Sequence, residues 1–100
     1  MILTPEEIRA MRATSLRSGA RLFWELAEAI AVEFDVSVAD LKAEGRGPLL
    51  VNEARQFLCL YAIRRGISSA QIGRFLGGRD HSTILHAAKK AEEKELASLE

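Results

Sequence analysis

The pair Gly77-Gly78, set between two helix-patterned stretches, constrains this chain more than any other feature. Adjacent glycines are poor helix formers and good helix stops, so the chain must turn there. Before them, Ile72, Phe75 and Leu76 recur at helical spacing; after them, Ile84, Leu85, Ala88 and Ala91 define one apolar face. Ser82, Thr83, His86 and Lys90 fall on the opposite face. Ser68 or Ser69 can cap the first helix, and Asp80 or Ser82 the second, by accepting backbone N–H bonds. A short helix, a tight glycine turn and a second helix with a polar leading edge make a helix-turn-helix. Short donors and acceptors at the mouth of that second helix suit base edges, and its later lysines suit phosphates. A solvated surface helix is the alternative.

The order of the residues is more specific than their spacing. Gly77-Gly78-Arg79-Asp80-His81-Ser82-Thr83-Ile84-Leu85-His86-Ala87 resembles the signature of the C-terminal DNA-binding domain of the bacterial replication initiator DnaA. That signature reads Gly-Gly-Arg-Asp-His-(Ser/Thr)-Thr-(Val/Ile)-(Leu/Ile)-His-Ala, a nearly unbroken match over eleven positions. Ile30-Ala31, Phe34, Val36, Asp40-Leu41, Ala54-Arg55-Gln56 and Ile72-Gly73 match the same domain upstream. The resemblance covers roughly residues 26–91 and leaves the first twenty-five or so unexplained.

One hundred residues suffice for one domain with a modest core. Net charge is zero overall, but residues 46–90 carry +6 while the segments on either side carry −3 each. The basic excess therefore coincides with the signature, as an electrostatic footprint on nucleic acid requires. The single cysteine, Cys59, excludes an internal disulfide and sits in the apolar run Phe57–Tyr61, which makes it a small core residue. No apolar run approaches a membrane span and no signal-peptide core follows Met1, so the expectation is a cytoplasmic protein without a membrane partner.

In chain order, Thr4-Pro5-Glu6-Glu7 reads as a helix start, with Thr4 as cap, Pro5 first in the helix and Glu7 closing a capping box. The segment Thr14–Gly19 is expected to break that helix, leaving either a docking helix or a lid over the core. Ala20 to Phe34 is a core helix through Phe23, Leu26, Ala27, Ile30 and Phe34, with Trp24 at the core edge or exposed. A turn at Asp35-Val36-Ser37 follows, Ser37 capping a short helix over Val38–Ala43. Glu44–Pro48 is a loop. Leu50 to Arg65 is a long helix through Leu50, Ala54, Phe57, Leu58 and Tyr61, stopped by Gly66. The expected fold is all-α: a small helical domain of five or six helices containing the helix-turn-helix. Residues 1–19 form an N-terminal helical extension and residues 20–100 the DNA-binding domain.

The resemblance implies double-stranded DNA as partner, at a DnaA-box-like site, in regulation of replication initiation or transcription. It implies that Arg79, Asp80, His81, Ser82 and Thr83 meet the major groove. Asp80 suits a cytosine N4 amine, and Thr83 or His81 a thymine methyl. Gln56, Ser68, Ser69 and His86 then hold phosphates, with Lys90 further along. Arg55 is expected near the backbone or paired with Glu53 or Asp80. In the Glu44–Pro48 loop the family carries several basic residues, one of which enters the minor groove; here only Arg46 stands, between glycines, and the alternative is a plain turn. No phosphate-cradling Gly-x-x-x-x-Gly-Lys-Ser/Thr occurs in the sequence. His81 and His86 are five apart, off the register for two metal ligands on one helix face, and no nucleophile accompanies them. The expectation is no enzyme, no cofactor and no metal. The rival reading is a protein–protein adaptor of the initiation machinery with weak or no DNA binding, touching the initiator or its regulators through residues 1–20.

Overall fold

The computed structural model describes residues 4–99, with side chains at residues 4–6 and 19–99. Five helices follow in order: α1 (Pro5–Phe34), α2 (Val38–Lys42), α3 (Leu49–Arg64), α4 (Ser69–Phe75) and α5 (His81–Ser98). Among the described residues there is no strand, and no helix is long and apolar enough to cross a membrane.

Helix α1 begins at Pro5, where the fixed φ of proline suits a first helical residue. It then runs unbroken for 30 residues, so the expected break at Thr14–Gly19 is absent. Isolated serines, threonines and one glycine lower helix propensity by less than about 1 kcal/mol each, which a continuous helix tolerates. The side chains on which the docking-helix and lid readings and the Glu7 capping box depend lie outside the described residues. From Phe23 onward the predicted stripe is buried: Phe23, Ala27, Ile30 and Ala31 face the core, with Leu26 and Phe34 half-covered. Trp24 is a core-edge residue. Its ring meets Phe23 edge-on with centroids 5.0 Å apart, and the Lys42 ammonium sits 5.2 Å from its face.

Asp35, at φ 55°, turns the chain out of α1. Ser37 then caps α2 reciprocally with Asp40: its Oγ accepts from the Asp40 N–H, and Asp40 Oδ2 accepts from the Ser37 N–H, both at 3.0 Å. Those bonds, first the backbone one, hold the Asp40 carboxyl below the usual carboxylate range.

The central element is α3, which packs against each of the other helices. Val51, Ala54, Leu58, Cys59, Leu60 and Ala62 are buried along it, whereas Leu49 and Leu50 are exposed at its first turn. Leu50 was expected inside; in the first turn it is Val51 that takes the core position, which leaves Leu49 and Leu50 on the outer side of the helix. Helix α3 stops as expected, with Gly66 at φ 89° just past the Arg65 cap.

The turn between α4 and α5 is built on Gly73. Its carbonyl accepts from both the Gly78 and Arg79 N–H groups at 2.9 Å. A Cβ at Gly73 would run into the Arg79 carbonyl, so the turn and α4 approach this closely only with glycine there. Gly77 and Gly78 both take left-handed φ, at 82° and 83°, which reverses the chain in two residues. Ile72, Leu76 and Ile84 bury the inner faces of the helix-turn-helix, joined by Ala88 and Ala91. Leu85 is half-exposed, not part of the apolar face: with Ile84 and Ala88 inside, it falls about 100° round the helix.

Candidate nucleic-acid interface

Helix α5 starts at His81, with Asp80 as the cap residue by backbone geometry. The Asp80 side chain makes no cap bond. Its Oδ1 lies 3.3 Å from His81 Nδ1 instead, and both side chains are well exposed. Ser82 is inside the helix and caps nothing. Asp80, His81, Ser82 and Thr83 thus form an exposed leading edge.

Further along, Thr83, His86 and Lys90 lie at 3- and 4-residue spacing and line a cleft of about 420 Å³ together with Asn52, Arg55 and Gln56 of α3, Arg46 of the α2–α3 loop, and Arg79. No Asp or Glu lines it. An anion entering this cleft meets guanidinium, ammonium and imidazole groups and no opposing carboxylate. Among the described residues no three His, Cys, Asp or Glu side chains are placed to hold a metal.

Two arginines of this region face inward. Arg55 is only 5% exposed. Its Nε donates to the Leu41 carbonyl at 2.9 Å, and its two Nη atoms donate to the Arg46 and Asp40 carbonyls at 3.1 Å. It pairs with neither Glu53 nor Asp80: its guanidinium is taken up by carbonyls at the end of α2 and in the loop after it. Burial, then the nearby Arg79 charge, lower the Arg55 pKa from its ordinary value. Arg79 is half-buried: Nη1 donates to the Leu76 carbonyl, and Nη2 to the carbonyls of Ala43 at 2.6 Å and Gly45 at 3.0 Å. The donors expected in the major groove are turned toward protein.

Gln56 is 8% exposed, and its Oε1 accepts from Lys94 Nζ at 2.8 Å, so this amide is engaged inside the fold. Ser68 Oγ accepts from the Gln71 N–H at 3.2 Å and caps α4, with Ser69 half-buried beside it. Both stand at the start of α4, outside the cleft. Arg46 is exposed, in a loop whose glycines take left-handed φ of 76° at Gly45 and 69° at Gly47. Asn52 and Lys94 were not singled out by sequence. Each was signalled by helical spacing, Asn52 four residues before Gln56 and Lys94 four after Lys90.

Comparison with known proteins agrees in extent and register. A family model described as the bacterial DnaA protein helix-turn-helix matches residues 25–91. The chromosomal replication initiator protein DnaA of Thermomicrobium roseum is 39% identical over 66 residues, covering 66% of this chain and 14% of that protein. The Geobacter sulfurreducens DnaA is 42% identical over 65 residues, 63% of this chain and 14% of that protein. For the Caulobacter vibrioides DnaA the figures are 32% over 92 residues, 90% and 19%. The chain therefore spans less than a fifth of the length of these relatives. No solved structure matches it. With a buried-face helix-turn-helix, the signature at the mouth of α5 and a family match across two thirds of its length, the chain belongs to the bacterial DnaA helix-turn-helix family.

Proposed function

We propose that the chain binds double-stranded DNA at a DnaA-box-like site and thereby regulates replication initiation or transcription in the bacterial cytoplasm, without catalysis. The observation that carries this reading is the exposed edge Asp80–Thr83 at the start of α5, flanked by a cationic cleft without a carboxylate. The N-terminal end of a recognition helix is the part that reaches base edges in a helix-turn-helix. Asp80 is free to accept from a cytosine amine because the helix does not use it as a side-chain cap. His81, Ser82 and Thr83 follow it along the major groove, and Arg46, exposed on its loop, enters the adjacent minor groove. His86 and Lys90 lie a turn or two further on, where phosphates pass.

Titrating box-containing and scrambled duplexes against the protein by fluorescence anisotropy, across a range of salt, tests the reading. Tighter binding to the box duplex supports it; equal, salt-insensitive binding to both overturns it. The second reading, an adaptor acting on the initiator or its regulators, is favoured by one observation: α1 extends twenty residues ahead of the family match as part of one helix. Removal of residues 1–19 that abolishes a cellular effect while box binding persists would select it.

A further inference from the structure

The three carbonyls reached by Arg55 and two of the three reached by Arg79 belong to one short segment, the end of α2 and the loop after it. A five-residue helix leaves its last carbonyls without helical partners. Here Arg55 supplies a donor to Leu41 and a second donor, beside the Ala43 N–H, to Asp40, and Arg79 supplies donors to Ala43 and Gly45. The remaining Arg55 bond goes to the carbonyl of Arg46 itself. Arg79 is also the residue immediately before the Asp80 cap, and its other bond returns to Leu76 at the end of α4. Gly77 packs onto the same segment, its Cβ position 3.2 Å from the Lys42 carbonyl. The loop that carries Arg46 is therefore bonded on one side to α3 and on the other to the turn of the helix-turn-helix.

Two like charges held close together, one of them buried and neither against a carboxylate, are costly, and it is the hydrogen bonds to these carbonyls that offset the cost. We infer that Arg55 and Arg79 are positioning residues: a two-arginine clamp that fixes the distance and orientation of Arg46 relative to the leading edge of α5. This rests on the proposed DNA-binding reading. The clamp makes the two elements one rigid reading head, so contacts in adjacent grooves are made together and Arg79 acts through the loop, not on a base. The guanidinium fork is required for it, because a lysine keeps the charge but cannot bond two or three carbonyls in fixed directions.

The test uses Arg79→Lys in the full chain, with Arg46→Ala and the double variant. Melting by circular dichroism checks folding, and Arg79→Ala serves as a second variant at the same half-exposed site. The clamp predicts that backbone order parameters at Gly45, Arg46 and Gly47 in the free protein, read by NMR relaxation, fall in Arg79→Lys toward those of a flexible loop, while the core of α3 is unchanged. It also predicts that Arg46→Ala costs several-fold less box affinity in the Arg79→Lys background than in the wild type, a coupling of the kind contacting residues show. Unchanged loop order parameters, or strictly additive losses, would overturn the clamp and return Arg79 to a direct DNA contact. If wild-type protein failed to prefer the box, the functional reading would fall while the relaxation result still decided whether the clamp exists.

Discussion

Asp80 and His81 touch each other and are exposed to solvent, and the helix they begin does not need the Asp80 carboxylate. Replacing either by alanine therefore leaves thermal stability nearly unchanged and costs about 1–3 kcal/mol of binding on a box duplex, with little loss on a scrambled one. Equal losses on both duplexes, read by anisotropy, would assign them a structural role instead. Cys59 is the opposite case, with no exposed surface. Burial pushes its thiol up to about 12, against a smaller opposing pull from Arg55 and Arg79. The unfolded chain ionises near the ordinary thiol value of about 8.5, so this contribution to stability is complete below that pH and is lost as pH rises toward about 12. Native protein should not react with a thiol reagent at neutral pH, and Cys59→Ala should flatten the alkaline fall in melting temperature; rapid labelling of the folded protein would contradict both. The core role of Cys59 was readable from its apolar neighbours. The partners of Arg55 and Gln56 were not, because a long side chain can reach carbonyls from a helix 14 residues away, and spacing encodes none of that.

Among the helices, those with strong punctuation were legible: α4 and α5 between a serine cap and two glycines, and α3 up to Gly66. Weak punctuation misled, since scattered Ser, Thr and Gly between residues 14 and 19 do not stop α1. The side of the first turn of α3 that faces inward also escaped, since Val51 and not Leu50 is buried there, and consecutive apolar residues do not by themselves say which one points to the core. The far end of α5 lies beyond the family match, which stops at residue 91, and is held to α3 by a two-pronged ion pair. Arg64 Nη2 and Nη1 donate to Glu95 Oε1 and Oε2 at 2.7 and 3.1 Å. Both groups are partly solvated, so the pair contributes little to global stability. Its effect is local. The Arg64 hydrogen bonds hold the Glu95 carboxyl below its usual range, so the pairing is present above the ordinary carboxylate pKa and is lost as pH falls through the lowered value. Glu95→Gln should speed amide exchange over residues 92–98, and acidification should do the same to the wild type, with the melting temperature barely moved. Protection that persists in the variant would show that helix propensity alone orders this end.

At the scale of the molecule, zero net charge conceals a separation, +6 over residues 46–90 against acidic segments on both sides. A polyanion therefore meets its attraction in the segment that carries the helix-turn-helix, and binding should depend steeply on salt, log affinity falling by about 0.9 per neutralised phosphate for each unit of log salt. Within that field Arg46 is the sole basic side chain of its loop, so box binding should be weaker than the roughly 10⁻⁸–10⁻¹¹ M of dedicated regulators. Flanking glycines would ordinarily add freedom that insertion must remove. Here the Arg46 carbonyl is bonded to Arg55 and the Gly45 carbonyl to Arg79, so much of the backbone ordering precedes DNA. Only the arginine side chain remains to be ordered, and a narrow, electronegative minor groove attracts it. Arg46→Ala should accordingly weaken binding most on boxes flanked by A·T-rich sequence, where that groove is narrow, and little on G·C-rich flanks. A loss that is equal on both flanks and lowers the salt slope by about 1 would place Arg46 on a phosphate. No loss on either would make the Glu44–Pro48 segment only a turn, leaving recognition to the leading edge of α5.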